Sequence, residues 1–195
     1  MSEGKIKGAA IREIFAWYEE RYGRDKAREM ARRAPDEFRP LLDPDDPIST
    51  ILASSWYPAP FVHAMLDIVT EGMSEPEIER LAREANRAVV ANSMKSVYRF
   101  VIEKLATPEI YAASIPRLWR LLHDTGDRRI EIVAPGEAIS TIARWSGHHH
   151  LLCLLVVETM CAVFETMGCR NVKNERISCV SNGARECVTR VTWRV

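Results

Sequence analysis

"NVKNERISCVSNGARECVTRVTWRV", residues 171–195, decides the reading of this chain. After Asn182-Gly183, the residues Cys187, Val191, Trp193 and Val195 fall on one face of an extended strand, while Arg190, Thr192 and Arg194 fall on the other. Ile177 and Cys179 share a face on the preceding run. Asn-Gly between two such runs signals a hairpin. With the loop over Ser181–Arg185, Cys179 stands opposite Cys187 and both thiols turn inward; a slip by one residue would reverse one strand. Directly opposed cysteines have Cβ atoms about 4.5–5.5 Å apart, wide for a disulfide that prefers about 3.5–4.5 Å. The expectation is two buried free thiols packed as small apolar groups.

Working outward, "RRIEIVA" and "EAISTIARW" alternate around Pro135-Gly136 and read as another hairpin. The apolar run Leu151–Met167 between the hairpins is too long for a strand and reads as a buried helix. Cys153, Val157, Met160, Phe164 and Met167 form one of its faces, with Cys161 adjoining it. The first half has helical spacing instead. Ile11, Ile14, Phe15, Tyr18 and Tyr22 make a stripe ending at Gly23, and Phe61, Val62, Met65, Leu66 and Val69 make another over about 59–70. Ser74-x-Pro76-Glu77 is a capping box that opens a further helix carrying Ile78, Leu81, Ala82 and Ala85. That helical character continues through Tyr98, Phe100 and Val101 toward Leu105, and Thr107-Pro108 breaks it. "SIPRLWRLLHDTG", 114–126, is a short helix, and the proline-rich stretch 35–60 is a punctuated connection. Helices, hairpin, helix, hairpin is the order of an α+β domain with an antiparallel sheet. We expect one domain over 1–195, mainly helical over 1–126 and hairpin-helix-hairpin over 127–195.

Apolar residues at 47% and charged residues at 28% describe a self-folding globular chain. Lys+Arg and Asp+Glu balance at 27 each, so no basic field attracts nucleic acid. Neither a secretory leader nor a membrane span is evident, which predicts a cytoplasmic protein. Five cysteines in that compartment argue for free thiols.

The motifs of hydrolases, nucleotide-binding loops and dinucleotide folds are missing from the sequence, so no catalytic residue is assigned and the chain is expected not to be an enzyme. A metal site could be assembled from the run His148, His149 and His150 with Cys153, where His150 and Cys153 stand three apart at a helix start, and the cross-strand Cys179 and Cys187. This is the minor reading, and no cofactor is expected. Heme needs a histidine on a cavity wall; His63 faces away from its helix's apolar stripe and His123 sits beside Asp124 at a helix end. Methionines and small thiols can line an adaptable apolar pocket. The expected pocket residues are Trp119, Cys153, Met160, Phe164 and Cys187.

The opening "KIKGAAIREIFAWYEERYG", the central "SSWYP", "LWRLLHDTG" and the final C-x(3)-G-x(3)-C-x(5)-W stand in the order shown by a myxobacterial paralogous family of unknown function, which the chain resembles over about 5–195. More distantly, the N-terminal entry and terminal hairpin are similar to a superfamily containing the 4-vinyl reductase small-ligand domain, the heme nitric-oxide-binding domain and TRAPP-type tethering subunits. That resemblance implies helices on a twisted antiparallel sheet, with an apolar cavity between them in several relatives. Heme-binding members carry a Tyr-x-Ser-x-Arg motif that this sequence lacks. Trp56, Tyr57 and Pro58, as a turn, and Cys179, Gly183 and Cys187 match as fold determinants. The resulting expectation is a non-enzymatic module for an apolar small molecule, acting as a homodimer or with a signalling partner. The alternatives are an interaction module without a small ligand, and a metal or heme sensor.

Overall fold

Strand alternation in the C-terminal half is realised as a four-stranded antiparallel sheet. The computed structural model describes residues 3–93 and 107–194. Strands β3 (Asp127–Ala134), β4 (Glu137–Ala143), β5 (Arg170–Ser178) and β6 (Glu186–Arg194) lie in the order β3-β4-β6-β5. Ala138 faces Val191, Ser140 faces Thr189 and Ile142 faces Cys187. With Ile130, Arg128 and Trp193 these make one buried face. Pro135-Gly136 closes the β3–β4 hairpin. A Cβ on Gly136 would come 2.5 Å from the Trp193 carbonyl oxygen, so the β6 backbone packs where a side chain would stand.

Ile177 departs from its expected face. It is exposed while Cys179 is fully buried, because the β5–β6 register shifts between Arg176 and Ser178 and leaves Ile177 as the extra residue of a bulge. Val195 lies outside the described residues, as do Tyr98, Phe100, Val101 and Leu105.

The helices are α1 (Gly8–Tyr22), α2 (Arg24–Arg32), α3 (Ala59–Thr70), α4 (Glu75–Ser93), α5 (Pro108–Leu122) and α6 (His150–Thr166). Half of the expected capping box forms: the Ser74 N–H and hydroxyl both donate to the Glu77 carboxylate, at 2.7 and 2.6 Å, while the Glu77 N–H donates to the Ser74 carbonyl. Helix α5 starts six residues before its expected beginning. Thr107-Pro108 opens it instead of breaking the chain, since Thr107 Oγ1 accepts from the Ile110 N–H and proline at the first helical position has no amide to satisfy.

Trp56-Tyr57-Pro58 is a short strand, β2, not a turn; it pairs antiparallel with β1 (Lys5–Lys7), Ile6 opposite Tyr57. Ile6 also bridges to His123, tying the N-terminus to the end of α5. The Tyr57 hydroxyl accepts from the Leu52 N–H at 2.8 Å and fixes the loop before it. Trp56 is partly exposed beneath the Lys7 ammonium, and Pro58 precedes α3.

Helix α6 is buried on nearly all sides, as a helix apolar all round must be. Met160 and Phe164 pack with Val191 and Trp193 of the sheet. Leu151, Leu152 and Cys153 join a second cluster that runs from Phe15, Phe61 and Met65 to Trp119, Cys179 and Cys187, so helical and sheet halves share one set of buried contacts.

Candidate functional site

The N-terminal end of α6 meets the tip of the β5–β6 hairpin. Cys179 directly follows β5, and its carbonyl accepts from the Asn182 and Ala184 amides. Gly183 completes this tight turn with φ of 83°, the left-handed conformation that only glycine takes without strain. The turn returns the chain so that Cys187 lies beside Cys179, with Sγ atoms 3.5 Å apart. Cys153 arrives from the first turn of α6, and His148 from the extended segment before the helix, where His149 is the N-cap. His148 Nε2 is 3.6 Å from Cys179 Sγ. One donor atom from each of His148, Cys153, Cys179 and Cys187 lies within 4.8 Å of the others.

The Cys179–Cys187 and His148–Cys179 separations are close to the edges of a tetrahedral site, and the remaining pairs lie within 4.8 Å. With Zn–S of about 2.3 Å and Zn–N of about 2.0–2.1 Å, two ligand sulfurs stand about 3.8 Å apart and a sulfur and a nitrogen about 3.6 Å. The three cysteines are buried and His148 is half-buried. The cluster favours one thiolate in particular. Cys187 is pulled below the ordinary thiol range, foremost by a hydrogen bond from the Cys153 thiol, with further donation from His148, the Val180 amide and Cys179, against the opposing effect of burial. Cys153 is pushed up by the same bond and by its burial, so it remains the proton donor of the pair. The Val180 N–H to Cys187 Sγ distance is 3.3 Å. A soft set of three thiols and one imidazole, with an anionic sulfur stabilised among them, suits Zn2+.

His150, the histidine expected in such a site, is not part of it. It is the first residue of α6, and its Nε2 meets the Glu75 carboxylate of α4 at 2.8 Å. His148 takes the place because it lies in the extended segment just before the N-cap.

The expected pocket residues divide among three environments. Cys153 and Cys187 belong to the thiol cluster. Met160 and Phe164 are fully buried, and Phe164 makes an edge contact with Trp193, centroids 4.9 Å apart. Trp119 alone of the five borders an open space, a cleft of about 310 Å3 between α5 and α6 that Arg128 and His123 also line. Sequence reasoning offered His148 only as one of three adjacent histidines and missed Arg128. A signal for Arg128 was present, because it alternates in phase with Ile130 and Ile132.

No protein-family model matches the sequence, and no curated protein does. Solved structures do match over nearly the whole chain. An H-NOX protein from S. oneidensis in the Fe(II)NO ligation state is 12% identical, with a TM-score of 0.69 over 97% of this chain and 100% of that one. An oxygen-binding H-NOX domain related to soluble guanylate cyclases, as its oxygen complex, is 11% identical with a TM-score of 0.67 over 97% and 96%. A third, described as probing heme distortion in the H-NOX family, is 12% identical with a TM-score of 0.62 over 97% and 96%. The chain therefore has an α+β fold like that of H-NOX domains. Among the described residues no helix is long and apolar enough to cross a membrane.

These structures overturn the expectation that no cofactor is involved, because the fold is one whose solved members include heme proteins. The chain's own residues decide which group it can hold. A heme iron takes an axial ligand, commonly histidine, and all five histidines are described. His63 bonds the Gly147 carbonyl, His149 bonds Asp67, His150 bonds Glu75, and His148 contacts Cys179. Only His123 borders the apolar cleft. Its ring is stacked on Trp119 at 4.0 Å, and its Nδ1 is buried without a hydrogen-bond partner. A metal-bound histidine ordinarily donates that second nitrogen to a carbonyl or carboxylate. The cleft also stands at the small end of ligand pockets. The residues present do not fit a heme.

Proposed function

We propose that this protein is a non-enzymatic sensor module whose C-terminal hairpin is clamped by a metal ion, Zn2+ by donor chemistry, held by His148, Cys153, Cys179 and Cys187. The observation that carries the reading is the convergence of four donor atoms within 4.8 Å, from three separate segments of the chain. A site closed by four protein ligands leaves no open position for substrate, so its role is structural or regulatory. The ion would tie β5 and β6 to the start of α6, and its occupancy would set how firmly the hairpin tip is held. Metal supply, or oxidation of the thiols that hold the metal, then becomes the input. Metal analysis and absorbance of freshly purified protein test this. One zinc per chain without a Soret band is expected; a Soret band with zinc well below one per chain would overturn it.

Pairing with a second copy or a signalling protein is a second reading. It is favoured by Ile110, Leu118 and Leu121 on α5, whose side chains are more than two-fifths exposed. Sedimentation across a dilution series tests it: a concentration-dependent mass supports pairing of two copies, and a constant monomer mass opposes it.

A further inference from the structure

The cleft between α5 and α6 carries a feature that the thiol cluster does not explain. Arg128 projects from β3 onto the buried face of the sheet and is only 6% exposed. Its Nε donates to Ser140 Oγ at 3.4 Å, and Nη2 donates to the Val156 carbonyl at 3.2 Å and approaches Met160 Sδ at 3.9 Å. Among the described residues no carboxylate lies within ion-pair distance of it. A guanidinium has five N–H donors and a permanent charge, and burying that charge without an anion is strongly disfavoured. His123, equally buried, presents a further unsatisfied group, its Nδ1. Both residues line the same cleft, whose other walls include Ile115, Leu118, Trp119 and Val156.

We propose that this cleft binds a small carboxylic acid with a compact apolar body, its carboxylate paired with Arg128 and its body packed on Trp119 and Val156. An acid fits where an alcohol or hydrocarbon does not, because only an anion neutralises the buried guanidinium, and charge-assisted hydrogen bonds to it are the strong ones. His123 stays neutral in its buried position and can supply a second hydrogen bond to the carboxylate. The volume of about 310 Å3 holds about ten heavy atoms, at the ~30 Å3 that a water-sized group occupies in a liquid. The cleft shares no residue with the His–Cys cluster, so neither site's failure decides the other.

Calorimetric titration with sodium octanoate and with octanamide, its neutral counterpart of the same shape, tests the proposal on the unmodified protein. Octanoate is expected to bind once per chain and at least about tenfold more tightly than octanamide, the scale of a hydrogen-bonded charge. Arg128→Met should remove that preference and Arg128→Lys should retain part of it. Leu118→Trp, at the exposed rim, should weaken both ligands without touching the charge. Equal binding of octanoate and octanamide, or no saturable binding of either, would overturn the proposal whether or not the Arg128 variants fold.

Discussion

Acidification exposes the cost of keeping His123 neutral. The imidazole is stacked on Trp119 and set edge-on to Trp145, with centroids 4.0 and 5.0 Å away. Burial, and then the nearby Arg128 charge, lower its pKa to about 3 from an ordinary 6.5. The unfolded chain therefore binds a proton between those values that the folded chain does not. Stability contributed by this group is complete above pH 6.5 and is lost as pH falls toward 3. Each unit of pH in that window costs up to about 1.4 kcal/mol, less near pH 6.5 where the unfolded chain is only half protonated, so between pH 6.5 and 4.5 the loss is about 2.3 kcal/mol. The narrower window stays above most carboxylate titrations. His63, also lowered by burial, adds to the slope in the same direction. Urea unfolding at half-unit steps should show the wild type losing stability over this range, and His123→Phe, which keeps the stacking, losing less by about 2–3 kcal/mol. Parallel slopes for the two proteins would refute the reasoning, since they would mean that His123 protonates without unfolding.

Other expectations concern the sheet and the hairpin tip. Phe164→Ala removes a side chain with no exposed surface and should cost about 3–5 kcal/mol in chemical denaturation with the fold retained. Gly183→Ala places a Cβ at φ of 83°; a loss of about 1–2 kcal/mol is expected, together with weaker metal retention in a chelator competition. Cys179→Ser should lower zinc to well below one per chain and cost stability only when metal is supplied. An equal loss with and without chelator would assign that cysteine to packing alone. Treatment with hydrogen peroxide should join Cys179 and Cys187, two thiols and one peroxide giving a disulfide and two waters, with release of zinc seen by a colorimetric chelator.

The terminal hairpin was legible because the alternation of Cys187, Val191 and Trp193 has only one buried solution, and Asn182-Gly183 fixes where the chain turns. Helix α6 was legible from length alone. The bulge at Ile177 was not, since an extra residue changes the register without altering composition. The start of α5 was misread because Thr-Pro both ends helices and opens them, and the hydrogen bond that distinguishes the two roles joins Thr107 to a residue three further on. At the site, the sequence offered the whole run His148–His150 beside Cys153, Cys179 and Cys187, but not which histidine the fold brings to the thiols. Which of His148, His149 and His150 faces the thiols depends on the exact N-cap of α6, and Glu75, which engages His150, is 75 residues away in sequence. Arg128 was visible as a charge in phase with Ile130 and Ile132, although the cleft it lines forms only when α5 and α6 pack above β3.

The metal clamp is tested most directly by X-ray absorption at the zinc edge on protein purified with its native metal. Three sulfurs at about 2.3 Å and one nitrogen at about 2.0–2.1 Å are predicted, with Cys153→Ala reducing the sulfur count by one. A first shell of nitrogen and oxygen alone, or a sulfur count that Cys153→Ala leaves unchanged, would contradict the account.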